Sequence, residues 1–183
     1  MATSTSMKYV KYGLGGLVAV IALLVVIGMI IPTEEPESAT LYARAPVPAV
    51  PERTAAVATD LADGDYWAEA VTVADGRFTF TLMQALFGEA CVEELGADEC
   101  ANDYSVLPEP TRELTVALAA DTPITVTADS MQNYVVFADE LARLLAGDAP
   151  AAAAPGDYTY VPFPYLVTVR DGEVVELHQI WVP

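Results

Sequence analysis

An uncharged apolar run near the N-terminus limits what this chain can fold into more than any other feature does. Leu14–Ile31 is an unbroken stretch of 18 apolar residues and glycines. At about 1.5 Å per residue, a helix over this run and its flanks crosses a hydrocarbon core of roughly 30 Å. We predict a transmembrane helix over 14–31, preceded by a short segment over 1–13. A cleaved signal peptide is the alternative, but its apolar core is usually shorter and its small-x-small site much closer than Ala43-Arg44-Ala45.

The charges on either side of this run predict its orientation. Lys8 and Lys11 precede the run, whereas Glu34, Glu35 and Glu37 follow it. Because cationic flanks stay on the cytoplasmic side, we expect the N-terminus inside and the rest of the chain outside. The predicted localisation is therefore the cytoplasmic membrane, crossed once, and the first predicted partner is the lipid bilayer.

Charge is strongly one-sided beyond the apolar run. Apart from Lys8 and Lys11, the chain has six arginines against 26 Asp and Glu, so its outer part carries a net charge of −20. Nucleic-acid binding needs clusters of Lys or Arg that neutralise phosphates, and this composition excludes it. Several acids lie between Glu89 and Asp103 without the spacing of an EF-hand, which favours a solvated surface over a calcium site.

A proline-rich segment follows the apolar run. Residues 32–58 contain five prolines among Ala, Thr and Glu, with hardly any bulky apolar side chain except Leu41 and Tyr42. Alternating prolines favour extended polyproline II conformation, so we predict a Pro/Ala/Glu-rich stalk over 32–58. The extracytoplasmic domain is then predicted over 59–183, with a mobile low-complexity loop at Gly147–Asp157.

Two Asp-Gly dipeptides predict β-hairpins, because Asp-Gly favours a two-residue turn with positive φ between strands. The turn at 75–76 pairs Val73 with Phe78 and, further out, Val71 with Phe80. The predicted hairpin therefore has one apolar face.

The second Asp-Gly turn, at 171–172, places Arg170 opposite Glu173 and His178 opposite Tyr165. Between the hairpins, short β-type runs predict four strands, and two runs that end near a glycine predict short helices. The strands are 104–107, 114–118, 124–127 and 134–136, and the helices are 84–95 and 138–146. Together these elements predict an α+β domain that is small and mainly antiparallel, a partly open barrel with two short helices.

The two cysteines predict a disulfide. Cys91 and Cys100 are the only cysteines, and the predicted orientation places both outside the cytoplasm. Disulfides persist there, so we predict a Cys91–Cys100 bond, with two free thiols as the alternative. A metal site would need more soft ligands than this pair and His178, the sole histidine, so no metal and no other cofactor is predicted.

The chain from Asn102 onward resembles a known group of proteins. The Asn102-Asp103-Tyr104 motif and the closing hairpin with its Val-Thr-Val-Arg-Asp-Gly sequence carry the likeness, which covers roughly residues 66–183. Both are similar to small secreted or lipid-anchored proteins, frequent in actinobacteria, whose activity is uncharacterised. The resemblance implies a binding site at Asn102, Asp103 and Tyr104. From the residues alone, Asn102 and Asp103 are turn formers, and that structural role is the alternative.

No sequence motif points to catalysis. The chain lacks Gly-x-Ser-x-Gly, a glycine-rich phosphate loop and His-Glu-x-x-His, and nothing in the sequence pairs His178 with Ser105 or Ser130. We therefore predict a non-enzymatic, membrane-anchored extracytoplasmic module that binds a protein, a cell-envelope component or a cation. Two alternatives stay open: an accessory subunit of a membrane protein complex, and a hydrolase that uses two of the many acids as a catalytic pair.

Overall fold

The computed structural model describes residues 40–57, 61–107, 112–119 and 121–183. Within these ranges the chain forms ten β-strands and two short α-helices, so the predicted α+β class is confirmed. The strands are β1 Arg44–Ala45, β2 Gly64–Ala74, β3 Arg77–Met83, β4 Ala85–Phe87, β5 Tyr104–Val106, β6 Arg112–Leu118, β7 Ile124–Thr127, β8 Asn133–Val136, β9 Tyr165–Arg170 and β10 Glu173–Gln179. The helices are α1 Gly88–Leu95 and α2 Ala138–Leu145.

The predicted transmembrane helix over 14–31 lies outside the described residues, as do 1–13 and 32–39. In the part of the chain that is described, no helix combines the length and the apolar character that a membrane span needs. The predicted anchor and its orientation therefore stay predictions.

Eight of the strands form one mixed sheet, in the order β1-β8-β7-β10-β6-β3-β2-β9. Because β9 also pairs with β10, the strands β10, β6, β3, β2 and β9 form a closed cycle, from which β7, β8 and β1 extend. The pairs of β10 with β6 and β7 are parallel, and the other pairs of this sheet are antiparallel. Strands β4 and β5 form a separate two-stranded antiparallel sheet.

The first hairpin has the predicted turn but a different register further out. Both Asp-Gly turns have positive φ at Asp and Gly, as a type I′ turn requires, and Val73 pairs with Phe78 as predicted. A register shift then makes Ala70, rather than Val71, the partner of Phe80. Val71 is the extra residue of this bulge and is exposed. The bulge keeps Ala70 and Val73 on the inward face although they are three residues apart.

The second hairpin carries a bulge of the same kind. Arg170 lies opposite Glu173 as predicted. A one-residue shift further along the strands puts Leu166, rather than Tyr165, opposite His178. Turn chemistry determines pairing near the turn, whereas a bulge resets the register beyond it, so the predicted position of His178 was wrong.

The main core is built from inward-facing residues of the closed strand cycle and is covered by α2. Its buried members include Tyr66, Phe78, Phe80, Leu82, Val116, Leu141, Leu144, Tyr165, Val167, Val169, Val174 and Leu177. Because side chains alternate along a strand, Trp67 points to the other face of β2, where it packs with Ala85, Leu166 and Ile180. Each large buried side chain contributes about 1.5–3 kcal/mol.

The first helix is shorter than predicted. The segment 84–95 was expected to be helical throughout, but Ala85–Phe87 pairs with Tyr104–Val106 and only Gly88–Leu95 is helical. Gly88 has a φ of 53°, a left-handed value that favours glycine and separates the strand from the helix. The helix ends before Gly96, as predicted. The second helix agrees with its prediction to within one residue.

Residues 40–57 belong to the domain, so the predicted stalk over 32–58 is wrong for this part, and the domain begins earlier than residue 59. β1 pairs with β8, and both Tyr42 and Thr54 are buried. The Thr54 N–H donates to the Ala85 carbonyl at 3.1 Å, and the Ala85 N–H donates to Thr54 Oγ1 at 2.9 Å. Extended proline-containing backbone lies along a sheet edge as readily as it spans solvent, and composition does not distinguish the two.

Candidate functional site

Of the predicted binding residues, Asn102 and Asp103 lie in the turn that leads into β5, and Tyr104 is the first residue of that strand. Asp103 has a φ of 61°; its N–H donates to the Cys100 carbonyl at 3.0 Å, and its carbonyl accepts from the Gly88 N–H at 2.8 Å. The side chains of Asn102 and Asp103 are exposed. The backbone geometry thus explains turn-forming residues at these positions, and a binding role for them stays a prediction.

Tyr104 is half-buried in a small aromatic cluster. Its ring centroid lies 6.0 Å from that of Phe87 and 6.4 Å from that of Trp67, and the Phe87 and Trp67 centroids are 5.1 Å apart. Phe87 and Tyr104 are also direct neighbours across β4 and β5. Aromatic pairs at such distances contribute about 0.5–1.5 kcal/mol beyond area burial. Tyr104 therefore connects the small sheet to the core around Trp67.

The predicted disulfide between Cys91 and Cys100 is confirmed. The two Cα atoms are 6.0 Å apart, and both residues are buried against Leu86. The bond ties α1 to the turn that contains Asn102 and Asp103. This region is consequently held by covalent and backbone contacts.

His178 is a strand residue with two polar neighbours. Its Nδ1 lies 3.0 Å from Thr125 Oγ1, and its Nε2 lies 3.7 Å from Glu176 Oε2. Burial lowers the pKa of His178, and the nearby Glu176 carboxylate partly opposes that shift. Burial therefore favours the neutral imidazole, which contacts Thr125 and Glu176.

A polar cleft of about 510 Å³ opens beside β1 and β8, and part of its lining comes from the segment that composition assigns to the stalk. It is lined by Tyr42, Arg44, Ser130, Gln132, Tyr134, Pro155 and Asp157. A pocket of about 180 Å³ shares Ser130, Tyr134 and Asp157 with it and extends to Tyr158. We call the two together the Arg44 cleft.

Backbone pairing places Arg44 at this cleft. Tyr42 has a φ of 63°, and its N–H donates to the Val135 carbonyl at 2.7 Å. The Val135 N–H donates back to the Ala43 carbonyl at 2.8 Å. Arg44 then lies directly opposite Tyr134 in the β1–β8 pair, so both side chains point to the same face of the sheet.

A buried carboxylate supports the cleft from α2. Glu140 is 5% exposed and accepts hydrogen bonds from the Tyr42 hydroxyl at 2.7 Å, the Ala151 N–H at 2.8 Å and Arg143 Nη1 at 3.2 Å. The Ala151 contact fastens the low-complexity loop at 147–157 to the helix. Burial, followed by the hydrogen bond to Glu140, raises the pKa of Tyr42, which keeps its hydroxyl a donor across the neutral range.

Tyr158 lies beneath the cleft and has an unused polar group. Its ring centroid is 5.3 Å from that of Tyr42 and 5.9 Å from that of Tyr134. Its hydroxyl is buried and has no hydrogen-bond partner among the described residues. Burial raises the pKa of Tyr158. The three tyrosines pack against one another and form an aromatic floor for the cleft.

The Arg44 side chain differs from the other arginines of the domain in its contacts. Arg53 pairs with Glu94, Arg143 with Glu140 and Arg170 with Asp65; Arg77 donates to the Thr115 carbonyl, and Arg112 is also engaged. No hydrogen bond or ion pair joins the exposed guanidinium of Arg44 to another residue of the described ranges. Among the residues that the structure describes, the Arg44 cation at the mouth of the cleft is thus left without a carboxylate partner, in a domain with a large excess of acids.

Comparison with known proteins identifies no relative: no family model matches this chain, and no curated protein or solved structure is significantly similar to it. The resemblance to small secreted or lipid-anchored proteins therefore stays a prediction. Across the described ranges, no group of three or more His, Cys, Asp or Glu side chains is arranged to hold a metal ion.

The sequence held one signal for the Arg44 cleft. Leu41 and Tyr42 are the bulky side chains that a solvated proline-rich stalk has no reason to contain, and Tyr42 is 6% exposed in the structure. Arg44 follows two residues later, with the period-2 spacing of a strand. The pairing of this segment with β8 creates the cleft and joins residues about ninety positions apart. No local sequence pattern indicates such a long-range pairing.

Proposed function

We propose that this chain is a single-pass, membrane-anchored extracytoplasmic module that binds an anionic cell-envelope ligand in the Arg44 cleft. The ligand group that Arg44 would receive is a carboxylate or a phosphate, because the guanidinium forms paired, charge-assisted hydrogen bonds with both. The anchor and its orientation rest on the apolar run at 14–31 and its flanking charges.

The observation that carries this proposal is that the guanidinium of Arg44 has no partner among the described residues. In a region with six arginines and 26 acidic residues, a cation readily finds a carboxylate on its own surface. Five of the six do interact within the chain. Arg44 instead faces an open volume of about 510 Å³. A cation left available in a cleft is the arrangement expected of an anion-binding group.

The neighbouring side chains define what else the ligand would carry. Ser130 supplies a hydroxyl that can donate and accept. Gln132 supplies its amide oxygen as an acceptor, because its Nε2 already donates to the Ala45 and Asn133 carbonyls, and the Asp157 carboxylate supplies acceptors only. Asp157 would repel an isolated anion, so the favoured ligand has a hydroxyl or amide N–H close to its anionic group. Peptide carboxylates and the sugar phosphates of envelope polymers both have this chemistry.

Binding is better supported than hydrolysis. Paired-carboxylate catalysis needs two acids with different environments, one of them usually buried. Of the carboxylates in the described ranges, Glu140 alone is buried, and it already accepts three hydrogen bonds. Asp129 and Asp157, the acids that line the Arg44 cleft, are both exposed.

The test is calorimetric titration of the full chain in detergent with two probes, N-acetyl-alanyl-alanine and inorganic phosphate. We expect one of them to bind, with an affinity that falls as salt increases. Arg44→Gln removes the charge but keeps most of the length. Since a hydrogen bond to a charged group contributes about 1.5–3 kcal/mol, affinity should fall roughly 10- to 150-fold.

Arg77→Gln is the matched control, because Arg77 is exposed at the first hairpin and donates to a backbone carbonyl. It should bind the same probe with unchanged affinity. Equal affinity of the Arg44→Gln and unsubstituted chains, or no heat with either probe, would show that the Arg44 cleft is not an anion site of this kind.

A further inference from the structure

An uncharged apolar patch lies on the other face of β1, β8 and β7 from the Arg44 cleft. Its exposed members are Val47, Met131 and Trp181, which are 73%, 57% and 36% exposed. Together with Pro48, Thr127, Asn133, Gln179 and Ile180 they surround a depression of about 190 Å³. We call this surface the Trp181 patch.

No charged residue lines the Trp181 patch, although the domain is strongly acidic. None of the eight residues that line its depression is ionisable, whereas the outer part of the chain carries a net charge of −20. Three of the six exposed large apolar side chains in the described ranges, Val47, Met131 and Trp181, are gathered here. Grouped exposed apolar side chains mark contact surfaces, whereas isolated ones are ordinary.

We propose that the Trp181 patch rests on the interfacial layer of the membrane, a contact that relies on the anchor of the proposed function. Tryptophan favours the membrane–water interface, where its ring is partly buried and its N–H stays hydrated. A neutral apolar surface can approach zwitterionic headgroups without a large desolvation cost. The acidic remainder of the domain would be repelled by anionic lipid and oriented away from it.

The length of chain before the domain makes this contact possible. Eight residues, Pro32–Ala39, separate the predicted span from Thr40, the first described residue. Eight residues extend at most about 30 Å. The stalk inferred from composition would have run to residue 58, far enough to hold a domain away from the bilayer, but its second half is folded into the domain.

Because the domain is tethered to the bilayer by the predicted anchor, a small patch is enough for membrane contact. Free in solution, three apolar side chains give weak affinity for a membrane. A short tether raises the effective concentration of membrane surface at the domain to on the order of millimolar or above. A weak contact is then occupied most of the time.

Trp181 provides the assay, because the chain has two tryptophans and Trp67 is fully buried. The full chain is reconstituted into phosphatidylcholine vesicles with plain or brominated acyl chains, and tryptophan emission is compared. Bromine quenches on contact, so we expect brominated lipid to cause a loss of emission in the unsubstituted chain. Trp181→Phe leaves only Trp67, and its emission should be equal in the two lipids.

Two double variants test the patch itself. Val47→Glu/Met131→Glu introduces charge into it and should abolish the quenching. Val71→Glu/Val92→Glu makes the same change at exposed apolar residues elsewhere, which are 44% and 43% exposed, and should leave the quenching intact. Circular dichroism confirms that each variant is folded.

The outcomes separate this proposal from the one on which it rests. If the chain stays in the vesicles after an alkaline wash but Trp181 is not quenched, the docking is refuted and the anchor stands. If the alkaline wash removes the chain, the anchor is refuted and the docking with it. If Trp181 is shielded from acrylamide only at high protein-to-lipid ratio and never quenched by bromine, a second copy covers the patch and membrane docking is refuted.

Discussion

The hydrogen bond from Tyr42 to Glu140 joins the segment 40–57 to α2. The substitution Tyr42→Phe measures what that bond contributes to stability. The two oxygens are 2.7 Å apart, and both residues are almost fully buried. A hydrogen bond to a charged acceptor contributes about 1.5–3 kcal/mol. The phenylalanine ring keeps the contacts with Tyr158 and Tyr134, and Glu140 keeps the Ala151 N–H as a donor. We therefore expect Tyr42→Phe to lower the free energy of unfolding by about 1.5–2 kcal/mol, near the lower end of that range.

The assay is urea unfolding of the full chain in detergent, followed by tryptophan emission and circular dichroism. Tyr66→Phe is the matched control, because the Tyr66 hydroxyl donates to a neutral carbonyl, that of Ala62, at 2.8 Å. A hydrogen bond to a neutral acceptor contributes about 0.5–1.5 kcal/mol, so the free energy of unfolding should fall less in Tyr66→Phe than in Tyr42→Phe.

A double-mutant cycle with Glu140→Gln isolates the pair from other effects of either substitution. Residues in direct contact have interaction energies of about 0.5–3 kcal/mol in such a cycle. Because the acceptor is charged, we expect the interaction energy of Tyr42 and Glu140 to exceed about 1 kcal/mol. If Tyr42→Phe unfolds within about 0.5 kcal/mol of the unsubstituted chain, residues 40–57 are not held by this contact and the reasoning fails.

Two further predictions concern stability. Cys91→Ala/Cys100→Ala should lower the free energy of unfolding by about 2.6 kcal/mol, the chain-entropy value for this loop, and reductant should then have no further effect on the urea midpoint. Stability should also fall above about pH 10. Burial raises the pKa of Tyr42, Tyr158 and Tyr165, so the folded chain keeps protons that the unfolded chain releases, at about 1.4 kcal/mol per pH unit for each phenol. A urea midpoint that is constant from about pH 9 to 11 would contradict this assignment.

The parts of the fold that were predicted correctly depend on neighbouring residues. Both Asp-Gly turns form because two adjacent residues adopt positive φ, and the pairs beside them, such as Val73 with Phe78, follow from the turn. The helix at Ala138–Leu145 and the disulfide are likewise determined within short segments. Local chemistry decides these features, so a single sequence is enough to predict them.

The parts that were missed depend on distant partners. The bulges at Val71 and in β10 lie in strands of the closed cycle, and no local sequence signal requires them. The segment 40–57 has the composition of a linker, yet it is folded because β8 and Glu140 lie where it can pair with them. The Arg44 cleft exists only through that pairing, which is why the candidate site could not be predicted from the motifs.

The β1–β8 pair carries both proposed surfaces, and strand geometry keeps them apart. Arg44 lies opposite Tyr134, which lines the cleft, and Ala45 lies opposite Asn133, which lines the Trp181 patch. Because consecutive side chains of a strand point to opposite faces, a bilayer on the patch side leaves the Arg44 side open to solvent. A module that must bind a ligand while lying on a membrane needs this separation. The two consecutive residues of β1, Arg44 and Ala45, provide this separation through their pairing with β8. They lie in a segment whose composition suggests only a spacer.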